Sequence, residues 1–320
     1  MSTKKVIQVK KARDFGGAIS DTFSLFFQNI KLFAKVFMKV IAPIAVIGAL
    51  GVLIFAVMAG GMGFDNFEES TSPIIFGIVI GVVYFVFLFL LMYCFIKLIV
   101  ASYRFVKIKA DDPEREVTVE ELMVEVREKT MPLLGMVLLY VLLFVAVMAV
   151  VGLVNYLLYM LIGSWSFLIY LFVFPLFYYY TVATSMYLVV SYEENLDFVD
   201  SLKRSMYLVK NKWWLTFAAT IAISMIASTI MSFVQYIPLI FITIGGALMP
   251  TEGAGLSIFI GIGGIITLIF FVGTLLLYVI NFVFQSLWYY GLVEDKEGRS
   301  VINKINQIGE DDGELQYSQN

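Results

Sequence analysis

Long apolar stretches of this chain carry hydroxyl and amide side chains at helical spacing. Thr220, Ser224, Ser228 and Ser232 recur at steps of four. Thr274, Tyr278, Asn281 and Gln285 recur at steps of four, three and four, as do Tyr180, Thr184, Tyr187 and Ser191. Each set is a stripe on one face of a helix. If the stripes face one another they form a polar seam or cavity, with Asn155 and Gln235 near its outer end. The plainer reading is helix packing, because small hydroxyl residues let helices approach and hydrogen-bond across the contact.

Other chemistry is hard to build from these residues. The chain has no His, which removes the commonest acid–base group and the commonest metal ligand. One Cys cannot make a cysteine-rich metal site or an intramolecular disulfide. No phosphate-binding glycine loop, dinucleotide fingerprint or CxxC pattern occurs, so neither a catalytic residue nor a cofactor is expected. Two acidic clusters stand out. One is Asp111, Asp112, Glu114, Glu116, Glu120 and Glu121; the other is Glu193, Glu194, Asp197 and Asp200. Carboxylates can hold a divalent cation, but these suit solvated helix N-termini better.

The elements that carry the stripes follow from charge distribution. Of 320 residues, 60% are apolar and 15% are charged. Charge-free gaps run from Lys39 to Asp65, Glu69 to Lys97, Lys129 to Glu193, Lys212 to Glu252 and Glu252 to Glu294. A membrane-spanning helix needs about 20 apolar residues. The third gap is long enough for two, turning at Gly163-Ser164-Trp165. The pattern predicts an all-α, polytopic membrane protein with six spans: about 33–60, 74–103, 132–161, 167–191, 214–246 and 257–291. Pro43, Pro175 and Pro238 should kink three of them, and Gly77 and Gly81 form a GxxxG packing motif. All 22 Lys and Arg then fall on one side, leaving only Asp65, Glu68, Glu69 and Glu252 on the other. Basic residues resist translocation, so the chain is expected in the cell's inner membrane with both termini cytoplasmic.

A repeat organises the chain. An amphipathic segment precedes each odd-numbered span. Phe15, Ile19, Phe23, Phe26 and Ile30 share one helical face, and Phe198, Leu202, Met206, Val209 and Trp213 share another at the same spacing. Asp14 and Asp197 stand just before these helices. Between them, Val119, Met123, Val126 and Thr130 form a weaker copy that opens on a Thr118/Glu121 capping box. The units are about 13–108, 115–192 and 196–292, between a basic segment (1–12) and a polar tail (293–320). All three begin inside, so they are parallel repeats about an axis along the membrane normal. Such helices can lie among lipid headgroups and favour anionic inner-leaflet lipid. They can also simply pack beneath the bundle.

The stretch from Asp200 to Trp214, including Lys203-Arg204-Ser205, Leu208 and Trp213-Trp214, resembles the repeat signature of a broad bacterial group of six-span proteins. That group includes the membrane domain fused to some glycerophosphodiester phosphodiesterases. Arg13-Asp14-Phe15-Gly16 through Asn29 is similar to the opening repeat of its stand-alone members. The resemblance implies the fold and only a loose link to lipid metabolism, since the chain lacks the His that the phosphodiesterase domain uses. The resulting expectation is a non-enzymatic scaffold or accessory subunit. Its binding face is Phe15, Ile19, Phe23, Phe198, Leu202, Met206 and Trp213, and its partners are lipid, other proteins or a second copy, but not nucleic acid. The alternative is a transporter or flippase for a neutral or amphiphilic molecule, using Tyr180, Thr184, Ser224, Ser228, Thr274, Tyr278 and Asn281.

Overall fold

A computed structural model describes residues 6–62, 73–248 and 254–298. The first five residues, the tail from Arg299, and the segments holding Asp65, Glu68, Glu69 and Glu252 lie outside the described residues. Within them the chain is all-helical. The helices are α1 (Phe15–Gln28), α2 (Ile30–Met62), α3 (Pro73–Asp111), α4 (Val119–Ile162), α5 (Ile169–Ala183), α6 (Tyr187–Glu194), α7 (Phe198–Val209), α8 (Trp213–Leu248), α9 (Ala254–Leu275) and α10 (Tyr278–Glu297). Four stretches among the described residues are long and apolar enough to cross a membrane: Phe85–Asp111, Val119–Glu194, Trp213–Gly246 and Gly273–Glu297. The second is 76 residues long and is folded back on itself by a 3-10 turn at Gly163–Leu168. Gly163 makes that turn possible with a positive φ of 62°, a conformation costly for any residue with a Cβ.

Side-chain pairs give the directions. Cys94 donates to the Val40 carbonyl at 3.4 Å, and the Phe33 and Phe105 rings lie 4.9 Å apart, so α2 and α3 are antiparallel. Asn155 donates to the Tyr170 hydroxyl at 2.8 Å, and Phe144 meets Phe177 at 5.2 Å, so α4 and α5 form a second hairpin. Helix α8 runs antiparallel first to α9, where Phe241 meets Phe259, and then to α10, where Ser224 meets Asn281 and Thr216 accepts from Trp288 Nε1 at 3.0 Å. A Cβ on Gly245 would lie 2.6 Å from the Phe259 ring, so only glycine lets α8 and α9 approach this closely. Gly81 of the GxxxG expected in α3 makes no such contact: a Cβ there would meet nothing within 4 Å, and the surroundings of Gly77 lie outside the described residues.

Helix α10 is the hub. It packs against α1, α3, α6, α7, α8 and α9, and Ile280, Val283, Ser286 and Leu287 are wholly buried in it. The core therefore lies at the end of the bundle that carries the basic residues. Away from that core, the middle of α4 stands largely clear of its neighbours. Every residue from Val141 to Val150 is exposed, which suits apolar side chains only where lipid covers them.

The N-terminal segment is tied to this core by Arg13, whose side chain is 2% exposed. Its guanidinium pairs with Asp21 at 3.1 Å and donates to the carbonyls of Val9, Lys11 and Gln8. Burial pushes the Arg13 pKa down, and Asp21 opposes the shift. Arg13→Ala removes all of these bonds from a desolvated site. We expect it to cost about 3 kcal/mol, the scale for breaking a buried ion pair from one side. The melting temperature in detergent should fall and proteolysis near Val9 should quicken. Arg13→Lys should lie between, because one ammonium cannot reach three carbonyls and a carboxylate.

Candidate functional site

Two of the three polar stripes meet. Thr220, Ser224 and Ser228 of α8 face Tyr278, Asn281 and Gln285 of α10 across a pocket of about 240 Å³. Ile223, Ala227, Met231 and Phe284 complete its lining. Ser228 and Tyr278 are exposed and mark its open side. A second pocket, of about 470 Å³, begins one residue further along α8 and is lined by Ser232, Gln235, Tyr236, Pro238, Leu239, Ile242 and, from α9, Thr267. Together the two form a groove along α8.

Hydrogen bonding separates the hydroxyls satisfied within their own helix from those that are not. Thr181, Thr184, Thr229, Ser232, Thr243 and Thr267 each donate to the carbonyl four residues back, which satisfies them within their own helix. Ser224 instead reaches across to Asn281 Oδ1 at 3.4 Å. Thr220 Oγ1 is buried without any partner, an uncommon state for a buried polar atom. Gln285 Oε1 accepts from the buried Tyr103 hydroxyl at 2.9 Å, which fixes the amide in place.

The third stripe points elsewhere. Thr184 bonds to the Tyr140 hydroxyl of α4 at 2.9 Å and to the Tyr180 carbonyl, while Tyr187 stacks on Tyr140 at 4.8 Å. Thr274 is 2% exposed and lies outside the groove lining. Both stripes also cross helix breaks. The 167–191 span ends its first helix at Ala183 and restarts at Tyr187, and the 257–291 span ends at Leu275 and restarts at Tyr278. Pro43, Pro175 and Pro238 all lie inside helices rather than at these breaks.

The amphipathic candidates turn inward. Leu202 is buried, and Phe15, Ile19, Phe23, Phe198, Met206 and Trp213 are half-buried against the core. The buried faces include Phe26 and Val209 of the expected stripes and extend beyond them to Ala18, Thr22 and Leu25 on α1, and Ser201, Ser205 and Leu208 on α7. Trp213 stacks on Tyr179 and Phe217 and donates to the Tyr179 carbonyl at 3.1 Å, so it joins α5 to α8. Outward from these helices stand Phe27, Ile30, Val199, Tyr207 and Trp214.

Ser205 was not among the candidates, yet it repairs a break. The Met186 N–H donates to Ser205 Oγ at 3.1 Å, and Ser205 Oγ donates to the Ala183 carbonyl at 2.9 Å. One hydroxyl thus replaces the ladder bonds lost between α5 and α6. Its neighbour Arg204 pairs with Glu194 at 3.0 Å and Glu297 at 2.6 Å, clamping α6, α7 and α10 together. Burial lowers the Arg204 pKa, but its hydrogen bonds to Glu194 and Glu297 outweigh that and leave it raised. The acidic clusters are largely engaged in ion pairs: Asp111 with Lys10, Glu121 with Arg115, Glu193 with Lys107, and Asp200 with Lys203.

No protein-family model matches the chain, and neither a curated protein nor a solved structure matches it.

Ser205→Ala leaves the Met186 N–H and the Ala183 carbonyl without a partner in a buried site. The expected cost is about 2 kcal/mol, the scale for stranding buried backbone groups. It should appear as a lower melting temperature and as faster amide exchange at Met186, while exchange in α1 stays unchanged.

Proposed function

We propose that this chain is a six-span inner-membrane protein with both termini cytoplasmic, and that it holds a membrane amphiphile in the groove between α8 and α10 without catalysing a reaction. The observation that carries this reading is the convergence of groups turned away from their own helices. Thr220 and Ser224 forgo the backbone bond that six other hydroxyls make, and both line one pocket with Asn281 and Gln285.

The topology has its own support. The 76-residue stretch doubles back at Gly163; α4 alone is long enough for one crossing, and α5 reaches the length of a second together with α6. The breaks in spans four and six fall at similar places, Thr184 to Tyr187 and Thr274 to Tyr278, as parallel repeats would have it. A second reading, a scaffold for lipid or partner proteins, draws on the apolar and aromatic groups that α1, α7 and α8 leave outward: Phe27, Val199, Tyr207 and Trp214.

Two measurements test these readings. Ser224→Leu and Ser228→Leu fill the groove with apolar volume. In reconstituted vesicles they should reduce binding of a fluorescent lipid analogue roughly tenfold with the melting temperature held. Unchanged binding, or loss only through unfolding, returns the stripe to helix packing. For topology, Asn66→Cys and Glu252→Cys should react with an impermeant thiol reagent from outside, whereas Ser300→Cys should not. Cys94 is 2% exposed and stays silent. Labelling of Ser300→Cys from outside would overturn the orientation.

A further inference from the structure

The donors and acceptors left over in the groove specify what it takes. Tyr103 O–H occupies Gln285 Oε1, and Ser224 O–H occupies Asn281 Oδ1. Neither amide nitrogen donates to a protein group among the described residues. Thr220 Oγ1 is likewise unpartnered. The lining groups without a partner among the described residues therefore include two N–H2 donors and the hydroxyls of Thr220, Ser228 and Tyr278. No Lys, Arg, Asp or Glu lines either pocket of the groove.

Depth narrows the choice further. Ser224 stands eleven residues beyond Trp213 on α8. That is about 16 Å at roughly 1.5 Å per residue, against a hydrocarbon half-thickness of about 15 Å. With Trp213 at the inner interface, where tryptophan concentrates, Ser224 and Asn281 lie near the midplane. A charged headgroup is costly there, and glycerophospholipid headgroups stay at the surface. The 240 Å³ pocket is smaller than the roughly 300–1,000 Å³ of a whole-ligand site. It accommodates a polar end, while the second pocket along α8 and the surrounding lipid receive the rest.

We infer that the groove binds an uncharged lipid whose polar end offers acceptor oxygens, as an ester or ring carbonyl does, with those oxygens on Asn281, Gln285 and Thr220 near the membrane midplane. This inference rests on the groove reading above and adds the ligand's class. Tyr103 is a positioning residue: by holding Gln285 Oε1 it keeps the amide nitrogen turned to the pocket.

The test uses the full chain in phosphatidylethanolamine vesicles and two photoreactive probes with the same acyl chains, a diacylglycerol and a phosphatidylglycerol. The diacylglycerol should label residues 220–231 or 278–285 roughly tenfold more than the phosphatidylglycerol. A long-chain methyl ketone should suppress that label, and an alkane of equal length should not. Asn281→Leu should abolish the preference. Because that variant removes a buried contact, the ketone-against-alkane comparison on the unmodified protein stands as the independent measurement. Equal labelling of the groove by phosphatidylglycerol would overturn the ligand class but leave the groove occupied. Labelling confined to α4 and α5 would overturn the class and the groove reading together.

Discussion

The burial of α10 holds the molecule together. Trp288, Phe284, Val283 and Ile280 are at most 2% exposed, and they bring α1, α3 and α8 onto a single helix. That placement depends on the break before it. Between Gly273 and Ile280 the backbone bonds shorten to three-residue steps, so α10 need not continue the line of α9. Helix α9 is thereby free to pack on α2 and α8 while α10 enters the core. Without this parting, the pairing of Ser224 with Asn281 and of Tyr103 with Gln285 could not both form. The groove is a consequence of where α10 is held.

The two ends of the bundle obey different solvents. At the basic end, water can reach the helices, and apolar burial, ion pairs and aromatic stacking all contribute. Arg204, Lys107 and Arg13 pair there with Glu194, Glu193 and Asp21. At the other end lipid is as apolar as leucine, so nothing drives side chains together except fit and hydrogen bonds. The exposure of Val141 to Val150 and the separation of the α4–α5 hairpin follow from this. Asn155 and Tyr170 supply one of the few directed contacts there.

Much of this was legible in the residues. Charge-free gaps marked the apolar helices, Asp14 and Thr118 marked helix starts that their side chains do cap, and helical spacing put Ser224 and Asn281 each on a polar stripe, without showing that the two would meet. Three features were not legible. The amphipathic stripes do not show how far the buried face extends: Phe26 and Val209 of the expected faces are wholly buried, and so are Ala18, Ser201 and Ser205 beside them, because close helix approach favours small residues as well as apolar ones. The break after Ala183 has no glycine or proline at it. It is held by Ser205, a partner distant in sequence, and a local pattern cannot show that. Glu121 opens α4 near Thr118, but its carboxylate goes to Arg115 rather than back to the cap, so the capping box is only half formed.

The unsatisfied groups of the groove have an energetic meaning that packing does not supply. A stranded buried hydroxyl costs about 1–3 kcal/mol, while an interhelical hydrogen bond in a membrane contributes about 0.6 kcal/mol on average. The Ser224–Asn281 contact is long at 3.4 Å and cannot offset Thr220. Replacing Thr220 by alanine would remove the burden, and a backbone bond like that of Ser232 would relieve it at no change in sequence. Neither has happened at this position, although the same helix satisfies Thr229, Ser232 and Thr243 in the ordinary way. A site that is unfavourable when empty and satisfied when an acceptor arrives binds by that difference. Ser286 Oγ and Asn155 Oδ1 bear the same cost elsewhere in the bundle, so what sets Thr220 apart is not its lack of a partner but its place in the lining of a pocket beside Asn281 and Gln285.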